Sequence, residues 1–124
     1  MAQNKIVAFP PVALSSTLTT NILAPGAAPA SAVGWTSTAP YLLIKHIRIV
    51  NKTAGAVTFS LYVGATGANA AGTEFMGTAS SIAANSSVDW YGQLRLEGTN
   101  GFLVGGASAL TSLVFQCEGE VGLV

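Results

Sequence analysis

One histidine, one cysteine and five carboxylates are the residues of this 124-residue chain on which acid–base, nucleophilic or metal chemistry would have to rest. His46 stands between Lys45 and Ile47, with Arg48 two positions on and on the same face of an alternating segment. A catalytic or metal-binding imidazole needs carboxylate or thiolate companions. None lies within strand distance along the sequence, so His46 reads as a structural or interface residue. Cys117 falls by alternation on an inward face, where a free thiol behaves as a small hydrophobe. No base adjoins it to lower its pKa, and as the single cysteine it cannot form an intramolecular bridge. Glu118 and Glu120 share one face of a strand. Paired carboxylates can hydrolyse glycosides or hold calcium, but at this spacing they suit an Arg or Lys across a sheet. The glycine-rich run 64–72, GATGANAAG, invites comparison with a phosphate cradle; it lacks the terminal Gly-Lys-Ser/Thr of a P-loop, and no helix pattern follows. The expectation is a protein without catalytic, cofactor-binding or metal-binding residues, and so not an enzyme.

The aromatic residues suggest contact rather than catalysis. Tyr62 falls opposite the apolar face of its segment and Tyr91 opposite Trp90, so both are expected to project outward. Exposed tyrosines favour protein interfaces and also stack on sugars. With Trp35, they make a carbohydrate-binding module the alternative from another functional class, with a glycan as its partner.

These residues would be positioned by strands. Tyr41 to Val63 reads as two strands joined by the turn Asn51-Lys52-Thr53-Ala54-Gly55, a hairpin with Ile47, Ile49, Phe59 and Leu61 on its core face and His46, Arg48, Ser60 and Tyr62 on the other. Thr73 to Ala79 is a short strand with Gly77 as a bulge. Val88 to Glu97 alternates cleanly, Val88, Trp90, Leu94 and Leu96 against Asp89, Tyr91, Gln93, Arg95 and Glu97. Phe102 to Val104 is a strand ended by Gly105-Gly106, and Ala109 to Glu120 is the last strand. Short strands separated by Gly/Asn turns are the pattern of an antiparallel sandwich. The expected fold is all-β: a β-sandwich, jelly-roll-like or Ig-like, of about 7–8 strands, formed by residues 41–124.

Residues 1–40 differ from the rest. They hold all five prolines, at 10, 11, 25, 29 and 40, and the run APGAAPASAV, which bar helix and central strand over most of the segment. The region reads as an extended N-terminal arm with one edge strand within Val12 to Leu23. Phe9, Leu14, Leu18, Ile22 and Trp35 are its apolar contacts, made with a neighbouring subunit or with its own sheet.

Charged residues are 8% of the chain and cancel to zero net charge, while 50% of residues are hydrophobic; an average globular domain carries about 25% charge. Neutrality favours association, so the outer surface is expected to be covered largely by other protein chains, in a homo-oligomer or lattice. A Ser/Thr/Asn-solvated surface on an ordinary domain is the plainer alternative. No run of about 18 apolar residues is present to span a membrane, and Pro10 and Pro11 interrupt the one N-terminal stretch that could act as a secretory signal. Synthesis in the cytoplasm is the expectation. The five basic residues are too few and too scattered for direct nucleic-acid binding.

The segments IKHIRIVNKTAGAVTFSLYVGATGANAAGTEF, IAANSSVDWYGQLRLEG and GFLVGGASALTSLVFQCEGEV together resemble the small β-rich virion structural proteins of tailed bacteriophages, over residues 41–122. The resemblance implies a non-enzymatic component of the capsid surface, synthesised in the host bacterial cytoplasm. Within that class it implies a capsid decoration or cement protein, whose partners are the major capsid protein and further copies of itself, as a homotrimer or another homo-oligomer. Tail, neck and fibre-base components share similar sandwiches and form the alternative within the class. Interface residues on this reading are Phe9, Leu14, Leu18, Ile22, Trp35, His46, Arg48, Tyr62 and Tyr91.

Overall fold

The computed structural model describes residues 5–17, 21–23, 41–64, 74–97, 103–109 and 111–121. These residues are all-β, with eight strands: β1 (Lys5–Ala13), β2 (Asn21–Leu23), β3 (Tyr41–Asn51), β4 (Val57–Val63), β5 (Glu74–Ile82), β6 (Ser87–Glu97), β7 (Leu103–Ala107) and β8 (Leu113–Val121). They form two four-stranded antiparallel sheets, a first in the order β1-β8-β3-β6 and a second in the order β2-β7-β4-β5.

Period-two alternation builds one core from both sheets. Leu42, Ile44, Ile47 and Ile49 of β3, Leu96 of β6 and Leu113, Phe115 and Cys117 of β8 join Phe59 and Leu61 of β4, Ile82 of β5 and Leu103 and Ala107 of β7 in a single buried cluster. Each fully buried Leu or Ile contributes about 1.5–3 kcal/mol relative to exposure, so inward placement of this set fixes the phase of every strand. In β3 the apolar positions change parity, from 42 and 44 to 47 and 49. An uninterrupted strand would turn one of these pairs to the outside. The ladder resolves this with a register shift between Ile44 and His46 against both β6 and β8. That bulge at Lys45 restores inward packing and thereby sets His46 on the outer face.

Three expectations are corrected. Tyr41–Val63 is not a hairpin: β3 pairs with β6 and β8 in the first sheet, and β4 with β5 and β7 in the second. The turn is a corner between sheets, and Asn51 holds it. Fully buried, its side-chain amide shares its donors among the carbonyls of Gly55 (2.8 Å), Ile82 (3.0 Å) and Ala83 (3.2 Å), while its carbonyl oxygen accepts from the Thr53 backbone N–H and hydroxyl. Those carbonyls belong to the β3–β4 corner and to the β5–β6 corner, so one side chain closes both crossings. β7 runs through Gly105-Gly106 to Ala107, with all five residues buried; glycine fits there because a side chain on Gly105 would meet Leu61 and the Ser60 carbonyl.

The two described strands of the N-terminal region are also integral. β1 lies beside β8 at one edge of the first sheet and β2 beside β7 at one edge of the second. Pro10 and Pro11 fit because β1 is an edge strand and its register shifts between Phe9 and Val12, where no regular ladder bond is required. Phe9, Leu14 and Ile22 are at most 8% exposed and belong to the chain's own core, so of the two placements expected for them the structure shows the one on the chain's own sheets, which takes them out of the interface set. Residues 24–40, with Trp35, and residues 18–20, with Leu18, lie outside the described residues.

Candidate functional site

The outer face of the first sheet collects most of the chain's charge. Register places Ala8, Glu118, His46 and Tyr91 in one row across β1, β8, β3 and β6, and Gln116, Arg48 and Asp89 in the next row across β8, β3 and β6. His46 sits between two carboxylates: its Nε2 is 2.8 Å from Asp89 Oδ1 and its Nδ1 is 3.1 Å from Glu118 Oε1. Arg48 Nε donates to the same Asp89 oxygen at 2.9 Å. Tyr91 stacks on the imidazole with ring centroids 4.5 Å apart and planes 12° from parallel, and is itself 73% exposed. Lys45 pairs with Glu120 at 3.3 Å, and Arg95 lies over the Tyr41 ring at 4.2 Å. A shallow depression of about 300 Å³ opens beside the cluster, between Ala8 and Pro11 of β1 and His46, Arg48, Gln116 and Glu118.

The electrostatics follow from this packing. The hydrogen bond from Arg48, then that from His46, holds the Asp89 carboxyl below its ordinary value of 3.8, and Asp89 in turn raises Arg48. A carboxylate accepts but does not donate, so each of these two contacts takes a proton on the ring nitrogen that makes it. With both ring nitrogens engaged, the imidazole is the hub of a polar network that links β3 to β6 and β8. Cys117 lies on the other side of β8, in the core, and burial, with a lesser contribution from the Glu118 charge, pushes its thiol up to about 12. It is not poised as a nucleophile. Among the described residues no group of three or more His, Cys, Asp or Glu side chains is arranged to hold a metal ion.

The structure thus brings His46, Arg48 and Tyr91 together and separates the other expected contacts from them. Tyr62 is corrected: it lies on β4 in the second sheet, turned from the core as alternation requires, yet it is only 5% exposed. Its row neighbours are Val104, fully buried, and Glu74, so it is part of the interior and cannot stack on a ligand. Ser60, on the same side, is likewise buried. Asp89 and Glu118 are the partners of His46 that sequence reasoning missed. Both stand at outward positions of their own strands, but only knowledge that β6 and β8 flank β3 reveals that they converge.

In comparison with known proteins, no family model, no curated protein and no solved structure matches this chain.

Proposed function

We infer that the two sheets form an antiparallel β-sandwich of the jelly-roll type and that the chain is a non-enzymatic virion structural protein. Its role on this reading is capsid decoration or cement, on the surface of a phage head. The observation that carries it is the strand order, β1-β8-β3-β6 facing β2-β7-β4-β5. Two interlocked Greek keys in eight strands are the architecture that viral capsid domains use, along with lectins and cupins. An Ig-type sandwich would instead keep its first two strands paired in one sheet, whereas here β1 and β2 lie in different sheets.

The outer face of the first sheet supports an assembling role. It presents a pre-ordered ion-pair network whose side chains are already held by one another, with the exposed Tyr91 and Ile6 beside it. Rigid aromatic and charged groups of this kind contribute most to protein interfaces. A lattice then multiplies modest single contacts. The partners are the major capsid protein and other copies of this chain, as a homotrimer or another homo-oligomer.

The test adds the purified chain to heads stripped of accessory proteins. Binding at saturating stoichiometry and greater resistance of the heads to heat are expected. Tyr91→Ala with Arg48→Glu should abolish both while the chain keeps its fold. Heads that neither bind it nor gain heat resistance would sink the reading. Deleting residues 1–40 is not a usable test, since it removes two strands and Phe9, Leu14 and Ile22 from the core.

Carbohydrate binding is the second reading. It rests on Tyr91, 73% exposed, beside Arg48, Asp89 and Gln116. A glycan array without signal removes it.

A further inference from the structure

Four strands end the two sheets, and three of them carry a device that discourages pairing with another chain. β1 has Pro10, Pro11 and a register shift. β2 is three residues long. β5 breaks register against β4 between Phe75 and Ser80, with Met76 at φ 66°. β6 is different. It runs eleven residues without proline, and among the described strands it pairs with β3 alone. Apart from Val63 of β4, the half-buried apolar residues packed against the core also gather on this side: Phe75 and Met76 of β5 and Val88, Trp90 and Leu94 of β6. Phe75 meets Trp90 edge-on at 5.0 Å, which joins the margins of the two sheets.

We propose that β6 pairs antiparallel with β6 of a second copy, about a two-fold axis at Gly92. This register is chosen by charge. It sets Asp89 of each copy opposite Arg95 of the other, twice per contact, and on the inner face it sets Trp90 opposite Leu94 and Val88 opposite Leu96. Moving the axis one residue toward the C-terminus would set Asp89 against Glu97, and one residue the other way would set it against Gln93. The irregularity of β6 against β3 falls between Tyr91 and Leu94, at the axis, where symmetry bends both copies alike. A side chain at position 92 would strike the Trp90 indole; with glycine there, the two main chains can approach. The product is one continuous eight-stranded sheet with the apolar margin covered at its centre, an isologous contact. The contact does not depend on the capsid reading.

Sedimentation of the full chain tests this. A reversible dimer, or an even-numbered assembly built from it, is expected. Asp89→Lys and Arg95→Asp each place like charges opposite one another and should weaken association about tenfold or more. An equimolar mixture of the two variants should recover it, because the new charges meet with opposite sign in the mixed pair. A monomeric or trimeric wild type, or a mixture no tighter than its components, overturns the proposal. Should a variant fail to fold, Tyr91→Cys mixed with Gln93→Cys replaces it. Oxidation should then cross-link the mixture faster than either variant alone, and equal rates overturn the register.

Discussion

Asn51 and Ile82 are 31 residues apart, yet the buried Asn51 amide donates to the Ile82 carbonyl at 3.0 Å, so the end of β3 is tied to the end of β5. Both strands leave their sheets at this point. The Asn51 backbone N–H also bonds the Ser86 carbonyl, and Asn85 N–H bonds the Thr53 carbonyl. Two sheet-to-sheet crossings therefore share one polar hub inside the protein.

Replacing Asn51 with Ala would leave the carbonyls of Ile82 and Ala83 without this donor and the Thr53 backbone N–H without its acceptor, while the Thr53 hydroxyl keeps the Gly55 carbonyl. Unsatisfied buried groups cost about 1–3 kcal/mol each, less where water reaches them. Asn51→Ala should lower unfolding free energy by about 3 kcal/mol, read as a lower urea midpoint at unchanged m-value. Asn51→Asp, which keeps the acceptor and loses the donors, should be impaired to a similar extent.

Gly119 lies where β8 crosses close beside β3. A Cβ there would collide with the Leu43 carbonyl oxygen and approach the Ile44 Cα to 2.9 Å, and both of these are main chain that cannot step aside. Gly119→Ala should therefore separate the two central strands and cost about 3 kcal/mol or more, in the range of overpacked cores. Gly55→Ala, with nothing within 4 Å, is the matched control and should shift the thermal midpoint little.

Much of this is readable from alternation and some of it is not. Ile47, Ile49, Phe59 and Leu61, and the two faces of β6 and β8, follow from period two, because burial of apolar side chains dominates strand phase. The partner of a strand does not follow. Asn51 to Gly55 has the composition of a turn whether the next strand returns in the same sheet or crosses to the other, and only the buried amide of Asn51 marks the crossing. The same gap hid Asp89 and Glu118 from His46, which meet it across strands that are distant in sequence. Tyr62 shows a different limit: alternation says which side a ring faces, not whether that side is wet. Prolines in β1 were a misleading signal, since an edge strand with a register shift accommodates them.

Asp89 gives a sign-defined dependence on acid. Its folded carboxyl is depressed, chiefly by the hydrogen bond from Arg48 and then by that from His46. The stability it contributes is therefore present above the ordinary carboxylate value of 3.8 and is lost as pH falls through the lower, folded value. Asp89→Asn should be less stable than wild type at pH 6, and the gap should close on titration toward pH 2, followed by thermal unfolding at each pH. A gap of constant size across that range would mean that the Arg48 and His46 contacts do not depend on the Asp89 charge.

Cys117 sets the behaviour at the alkaline end. Buried against Ile47 and Phe9 by register, its thiol is raised from 9.0 to about 12, mainly by desolvation. A thiol that keeps its proton in the folded chain but loses it in the unfolded one contributes stability that is complete below pH 9 and is lost as pH rises toward about 12. Wild type should therefore lose stability between pH 9 and 11 more steeply than Cys117→Ala, whose core defect is independent of pH. Alkylation by iodoacetamide at pH 8.5 reports the same burial from another direction. Modification should proceed only through unfolding, accelerating with sub-denaturing urea in proportion to the unfolded population, and a thiol modified at the rate of a free peptide cysteine in the native chain would place Cys117 outside the core.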